Sequence, residues 1–161
     1  MNLDWNALVA EMVATGEFHP AGLDATVLRR KHRRREAVIR TKGRRIIAYA
    51  ARHKTKLWGC YEIQKVFVAK GVNGHGTAAA MIRELMAIRR RNKRFFLITK
   101  NPKLEHIVID LGFEVRTKYN MPNIVEWAER TGLAEAKRLP DSATRDDSHH
   151  REEPERWLFM R

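Results

Sequence analysis

A glycine-rich turn at residues 71–76 is the part of the sequence with the clearest chemistry. It reads Gly71-Val72-Asn73-Gly74-His75-Gly76, and it lies between a strand-like stretch, 60–69, and a helical pattern that begins near Thr77. A turn of this kind presents successive backbone N–H groups at a helix N-terminus, where the helix dipole adds positive potential. Glycines also let the backbone approach an oxyanion closely and take positive φ angles. The turn therefore predicts a phosphate-binding site.

Two common phosphate-binding loops do not match this turn. A Walker loop ends in Gly-Lys-Ser/Thr, whereas here Gly76-Thr77 follows His75 with no lysine. A dinucleotide-binding fingerprint has the order G-x-G-x-x-G near the start of a βαβ unit, whereas three predicted strands precede this turn. Neither motif therefore fits this turn.

The spacing of apolar residues predicts a mixed α/β domain around the turn. Helices are predicted over 3–14, from about Thr77 onward, over 102–111 and over 122–131. Strands are predicted over 36–41, 44–53, 60–69, 95–99, 113–119 and the final RWLFMR, with a hairpin turn at Lys42-Gly43. The stretch 17–35 is expected to be loop with at most a short helix. Between Ile63 and Val66 the apolar alternation slips phase, as an extra bulge residue would produce.

Positive charge is concentrated in blocks. The chain has 32 Lys and Arg against 19 Asp and Glu, a net charge of +13, and its pI is about 10.5. The basic segment 29–45 contains a single acid, Glu36, while acids dominate residues 141–155. Such a field attracts polyanions, whether nucleic acid, anionic lipid or a phosphate-rich cofactor, although a solvated basic surface is the plainer interpretation. The predicted nucleic-acid contacts are Arg29, Arg30, Lys31, Arg33, Arg34 and Arg35.

Composition excludes several classes of protein. The 161 residues favour a single domain over 1–161, with a polar and mobile segment at 132–155. One cysteine, Cys60, excludes an internal disulfide, and no apolar run is long enough to span a bilayer. Because no signal-peptide pattern opens the chain, we expect a cytoplasmic protein without a membrane partner. The pair His149-His150 has no third ligand at useful spacing, so no metal site is expected.

The element order and two motifs resemble the acyl-CoA-dependent N-acyltransferase superfamily known as GNAT. The first family motif is a strand, Gln/Arg-x-x-Gly-x-Gly/Ala and a helix, and residues 71–76 stand in its place. The second is Asn-x-x-Ala-x-x-x-Tyr-x-x-x-Gly-Phe, and the spacing from Asn101 to Gly112-Phe113 is kept. The resemblance covers about residues 36–119. It departs from the pattern at Gly71, where Gln or Arg is usual, at Leu104 for Ala and at Val108 for Tyr.

The resemblance implies a mixed sheet whose central strands splay apart to admit acetyl-CoA or another acyl-CoA. The expected cofactor contacts are Val66, Phe67, Val68, Gly71, Asn73, Gly74, His75, Gly76, Thr77 and Asn101. Glu62 stands where some family members carry their general base. Since Val108 removes the tyrosine that usually reprotonates the thiolate, Tyr119, Tyr61 or a water would take that role. Cys60 borders the expected cleft and is a second-choice candidate for an acyl-enzyme.

The resulting functional hypothesis is transfer of an acyl group from acyl-CoA to an amine. Because one CoA uses only part of the positive surface, we expect the acceptor on a DNA or RNA base or on a nucleic-acid-associated protein. A small-molecule amine is the simpler enzymatic alternative. A non-catalytic nucleic-acid-binding module built on the same fold is the alternative from another class. The chain is expected to act as a monomer or a homodimer.

Overall fold

A computed structural model of the protein describes residues 3–54, 60–72, 74–87, 94–116 and 156–160. The helices are α1 (Trp5–Ala14), α2 (Ala25–Arg33), α3 (Gly74–Ala87) and α4 (Pro102–Asp110), with a short 3₁₀ turn at Pro20–Gly22. The strands are β1 (Ala37–Lys42), β2 (Arg45–Lys54), β3 (Cys60–Val68), β4 (Arg94–Thr99), β5 (Phe113–Arg116) and β6 (Arg156–Met160). Their order in the sheet is β1-β2-β3-β4-β6-β5. The predicted mixed α/β class is confirmed.

Most of the predicted elements are present, with two differences. The helix expected from Thr77 begins earlier, at Gly74. The stretch 17–35, expected to be loop with at most a short helix, contains the nine-residue helix α2. Asp24 caps this helix by accepting a hydrogen bond from the backbone N–H of Val27 at 2.9 Å. The predicted helix at 122–131 and the predicted mobile segment 132–155 lie outside the described residues.

The chain groups into two compact units. The first comprises Met1–His53 and Ile63–Arg91, and the second comprises Lys54–Glu62 and Asn92–Arg161. Strand β3 therefore contributes its first residues to the second unit and the rest to the first. The splay of the central strands stays a prediction.

In the first unit, α1 and α2 cover one face of the sheet. Their apolar side chains form a core cluster with inward residues of the strands, and its largest members are Trp5, Leu8, Met12, Leu28, Tyr49 and Phe67. Neighbouring residues of a strand face opposite sides of the sheet, so Ala51 joins this cluster while Arg52 points away from it. The guanidinium of Arg52 donates to the carbonyl of Leu85 in α3, at 3.1 Å. Helix α3 therefore covers the other face.

In the second unit, a late strand completes the sheet. Strand β6 is antiparallel to β4, with Phe96 opposite Phe159, and antiparallel to β5, with Phe113 opposite Met160. Helix α4 packs against these three strands through its buried residues Ile107 and Val108. The strand predicted from the final RWLFMR is confirmed.

Candidate functional site

The backbone of β3 is irregular at Lys65. This residue has φ of +57°, a left-handed conformation that non-glycine residues seldom take inside a strand. Phe67 belongs to the core cluster beneath α1 and α2, whereas the buried Ile63 lies outside that cluster, although a regular strand would place both on one face. A bulge at Lys65 accounts for this change of face. The slip that the sequence predicts between Ile63 and Val66 is confirmed.

The turn after β3 is fixed at both ends and open in its middle. Ala69 is buried, and its N–H donates to the carbonyl of Ile47 at 2.9 Å. Val72 packs against the core cluster, and its N–H donates to the carbonyl of Ala69 at 3.3 Å. Between them Gly71 is exposed with φ of +82°, and a Cβ placed there would meet no atom within 4 Å. The strand therefore leads into an open turn whose tip needs glycine because of its backbone and not because of crowding.

Helix α3 directs its N-terminus at this turn. Its first residues are Gly74, His75, Gly76 and Thr77, and the first turn carries no acidic side chain. The helix is held in place by apolar residues that recur at helical spacing and are buried, namely Ala78, Met81, Ile82 and Leu85. The positive end of the helix dipole is thus not neutralised by an acid of its own first turn, which favours an anion there.

Asn101 has a local structural role in the second unit. Its side-chain oxygen accepts hydrogen bonds from the backbone N–H groups of Lys103, at 3.0 Å, and Leu104, at 3.4 Å. It is therefore the N-cap of α4, and its own N–H donates to the hydroxyl of Thr99 at 3.0 Å. The spacing that the sequence shares with the GNAT motif thus coincides with a helix cap.

The positions that differ from the family motif also have clear places. Val108 is fully buried in α4, so an apolar residue stands in the core where the family carries tyrosine. Tyr61 is buried and stacks on Phe95 with ring centroids 5.8 Å apart. Glu62, the predicted general base, follows it in β3 and is half-buried.

The structure brings only part of the predicted site together. Val66, Phe67 and Val68, the open turn and the start of α3 follow one another within the first unit. Glu62 and Asn101 belong to the second unit. Asn73 and Tyr119 lie outside the described residues, and only the backbone is described at Cys60 and His75.

Two buried polar residues were missed by the sequence reasoning. Arg52 is 3% exposed and donates to the carbonyls of Leu85 and Arg35, at 3.1 and 3.2 Å. Tyr49 is fully buried and has no hydrogen-bond partner for its hydroxyl among the described residues. Burial, and to a lesser extent the charge of Glu36, raises the pKa of Tyr49 well above its ordinary value. The signal for Arg52 was its position inside the apolar strand sequence of β2.

The described residues contain no cluster of three or more His, Cys, Asp or Glu side chains that could hold a metal ion. No helix within the described ranges is both long and apolar enough to cross a membrane.

Two solved structures share the fold of this chain. Rv2747 from Mycobacterium tuberculosis, solved in complex with CoA, is 15% identical with a TM-score of 0.63, over 99% of this chain and 96% of that chain. N-acetylglutamate synthase from Neisseria gonorrhoeae, solved with coenzyme A and N-acetyl-glutamate, is 14% identical with a TM-score of 0.56, over 85% of this chain. This chain spans only 31% of that synthase. No protein-family model matches the sequence, and no curated protein does so either. The similarities confirm the predicted fold.

Proposed function

We propose that this chain, which has the GNAT-type fold expected from its sequence, is an acyl-CoA-dependent N-acyltransferase. The observation that carries the proposal is the continuous path in the first unit from the bulged strand β3 through the open turn to the acid-free start of α3. Both similar structures were solved with CoA, which supports a CoA ligand for this path.

Each part of the path suits one part of acyl-CoA. The backbone N–H groups from Asn73 to Thr77 would bind the pyrophosphate, because they are the first donors of α3 and the helix dipole adds to them. Residues Val66–Val68 would lie along the pantetheine arm, with Asn101 as a further contact. The exposed side chains of Lys70 and Arg83 lie on either side of the turn in sequence and are candidate partners for the remaining phosphate.

The chemistry needs a base, an oxyanion site and an acid. Acyl-CoA supplies the acyl group as a thioester. Glu62 accepts the proton of the acceptor amine, and backbone N–H groups of β3 near the bulge at Lys65 would stabilise the developing negative charge. Val108 cannot protonate the leaving sulfur, so Tyr119 takes that role in this proposal, with Tyr61 and water as the alternatives.

The acceptor follows from charge. A net charge of +13 repels cationic amines and concentrates anionic acceptors, so we propose an amine carried on nucleic acid or on a protein bound to it. A small anionic amine is the second candidate, because the similar synthase was solved with N-acetyl-glutamate, an N-acylated amino acid. A binding module without catalysis is the third.

Calorimetric titration with acetyl-CoA tests the cofactor part of the proposal. We expect saturable binding to the wild-type protein, and at least tenfold weaker binding, or about 1.4 kcal/mol, after Gly76→Asp. An acid in the first turn favours the helix but opposes a bound diphosphate. Ala80→Asp is the matched control, because Ala80 is exposed one helical turn farther along the same face. Absence of saturable binding to the wild type would refute the proposal.

Labelled acetyl-CoA locates the acceptor. Incubation with DNA, RNA, protein or small amines shows which class takes up label, and no transfer to any class despite CoA binding would favour the binding module.

Glu62→Gln should lower turnover most at low pH, where little of the acceptor amine is already deprotonated. A variant whose turnover equals that of the wild type across this range would remove Glu62 from the mechanism.

A further inference from the structure

Helix α2 carries a row of arginines on its exposed side. Arg29, Arg30 and Arg33 are exposed and recur at helical spacing, and Arg34 follows at the end of the helix, also exposed. Among the described residues, none of these four guanidinium groups takes part in a hydrogen bond or salt bridge, and the nearby carboxylate of Asp24 interacts electrostatically with Arg30.

Three other cations of the basic segment, Lys31, Arg40 and Arg45, have partners. Arg45 forms an ion pair with Glu11 at 2.8 Å, and Arg40 forms one with Glu84 at 2.8 Å. Lys31, which the sequence placed among the nucleic-acid contacts, is half-buried, and its ammonium donates to the carbonyl of Arg52 at 3.3 Å. The structure thus divides the arginine-rich run into an inner part and an outer part.

A surface groove extends the row of arginines toward the hairpin. It has a volume of about 750 Å³ and is bounded by the start of α1, the exposed side of α2 and the β1–β2 turn. Arg29 lines it from α2 and Arg44 lines it from the turn, while the carboxylates of Asp4 and Glu11 line it from α1 and its cap, with Glu11 paired to Arg45. We call Arg29, Arg30, Arg33, Arg34 and Arg44 the arginine surface.

The backbone beneath the arginine surface is held in place. Leu28 is fully buried in the core cluster, and the buried guanidinium of Arg52 donates to the carbonyl of Arg35 at 3.2 Å, just after α2. The N–H of Glu36 also donates to the carbonyl of Lys31 at 2.8 Å. A preorganised set of cations loses less conformational freedom when it binds a ligand.

We propose that the arginine surface binds the phosphodiester backbone of a double-helical nucleic acid. Guanidinium groups match phosphate oxygens in geometry as well as charge. Single strands are usually gripped by exposed aromatic rings, and in the described ranges the exposed large hydrophobic side chains are only Val13 and Ile109. A lipid surface would need an apolar helix face, and that face of α2 is buried in the core.

The stretch of chain that leads into α2 packs against β3. Phe18, between α1 and α2, contacts Phe67 with ring centroids 6.5 Å apart. A Cβ placed on Gly22 would lie 3.9 Å from the ammonium of Lys65, the bulge residue. A duplex on α2 would therefore approach the strand to which we assign acyl transfer. This last step rests on the proposed function, whereas the binding surface does not.

Fluorescence anisotropy with a labelled DNA duplex of about two helical turns tests the surface in the full-length protein. We expect the logarithm of affinity to fall with the logarithm of salt concentration with a slope of about −4, from four to five phosphate contacts. Arg29→Ala, Arg30→Ala and Arg33→Ala should each weaken binding severalfold and reduce that slope by about 1. Thermal unfolding checks that each variant is folded.

Lys103→Ala is the matched control, since Lys103 is an exposed cation on α4, in the second unit, and its side chain has no role in either proposal. If this variant loses as much affinity as Arg29→Ala, binding reflects net charge and the surface is refuted. Tighter binding of the single strand of equal length refutes the duplex, and equal variant effects on phosphatidylcholine–phosphatidylserine vesicles refute nucleic acid as the partner. A duplex of RNA in place of DNA identifies which helix is preferred, and binding of either supports the proposal. A wild-type protein that binds acetyl-CoA but no duplex would refute this surface and leave the proposed function standing.

Discussion

At the residue scale, the buried guanidinium of Arg52 links three elements of the first unit. It reaches the carbonyls of Arg35 after α2 and of Leu85 in α3 from its own place in β2. We expect Arg52→Met to lower the free energy of unfolding by about 3 kcal/mol, because buried carbonyls lose their donors. Urea unfolding measures this loss. Arg40→Met is the control, since its ion pair with Glu84 is exposed and should contribute about 0–1 kcal/mol; equal losses in the two variants would contradict the role of Arg52.

Because Tyr49 is buried, we expect the free energy of unfolding to depend on pH in the alkaline range. Its pKa is raised by burial, so the unfolded chain releases this proton from about pH 10 upward while the folded chain keeps it. The unfolded state then binds fewer protons, and the free energy of unfolding falls as pH rises, by roughly 1 kcal/mol at about pH 10.5. Tyr49→Phe should remove this component. Both proteins have the same lysines, so the difference between their free energies of unfolding isolates the contribution of Tyr49. Parallel pH profiles for the two proteins would contradict it.

The residue scale also shows where sequence reasoning stops. The composition of residues 29–35 identifies a basic run. A single apolar neighbour, Leu28, does not define a helix face, so the sequence does not predict which residues of the run point inward. Lys31 and Arg52 have structural roles because each donates a hydrogen bond to a backbone carbonyl in the folded chain. Contacts between residues this far apart in sequence follow from the fold and have no local pattern.

At the element scale, two substitutions of Asn101, the N-cap of α4, distinguish a structural role from a role in binding acyl-CoA. Asn101→Ala should lower the free energy of unfolding by about 1 kcal/mol, whereas Asn101→Asp keeps an oxygen for the cap and should not. If the amide of Asn101 also donates to acyl-CoA, both variants raise the KM for acyl-CoA, because neither has that donor. Chemical unfolding and steady-state kinetics on the two variants measure the two effects. A wild-type KM for Asn101→Asp would leave Asn101 as a cap only.

The elements themselves were largely predictable because each has a local pattern. Helix α3 shows a clear apolar stripe, the hairpin turns at Gly43 with φ of +60°, and the bulge in β3 appears as a slip in alternation. Helix α2 was underestimated because its charged residues outnumber its apolar ones. The position of β6 between β4 and β5 has no counterpart in the sequence, since pairing between distant strands depends on tertiary packing.

At the scale of the whole molecule, one charge distribution has two opposed consequences. A net charge of +13 attracts polyanions but also repels itself in the folded state. The repulsion is local as well as global, because Arg29 and Arg33 are like charges one helical turn apart on α2. Arg29 and Arg33 form no salt bridge among the described residues, and an anionic ligand explains their close placement better than stability does.

Salt should therefore raise stability while it weakens duplex binding. Raising NaCl from about 50 to about 300 mM screens the repulsion, and we expect a gain near 1 kcal/mol, or roughly 2–4 °C in Tm. The double variant with Arg29→Ala and Arg33→Ala should melt higher than the wild type at low salt and gain less from added salt, although it binds the duplex more weakly. Calorimetric melting curves at both salt concentrations measure these differences. A double variant that melts lower than the wild type at low salt would show that these arginines stabilise the fold, and the functional explanation for their clustering would then be lost.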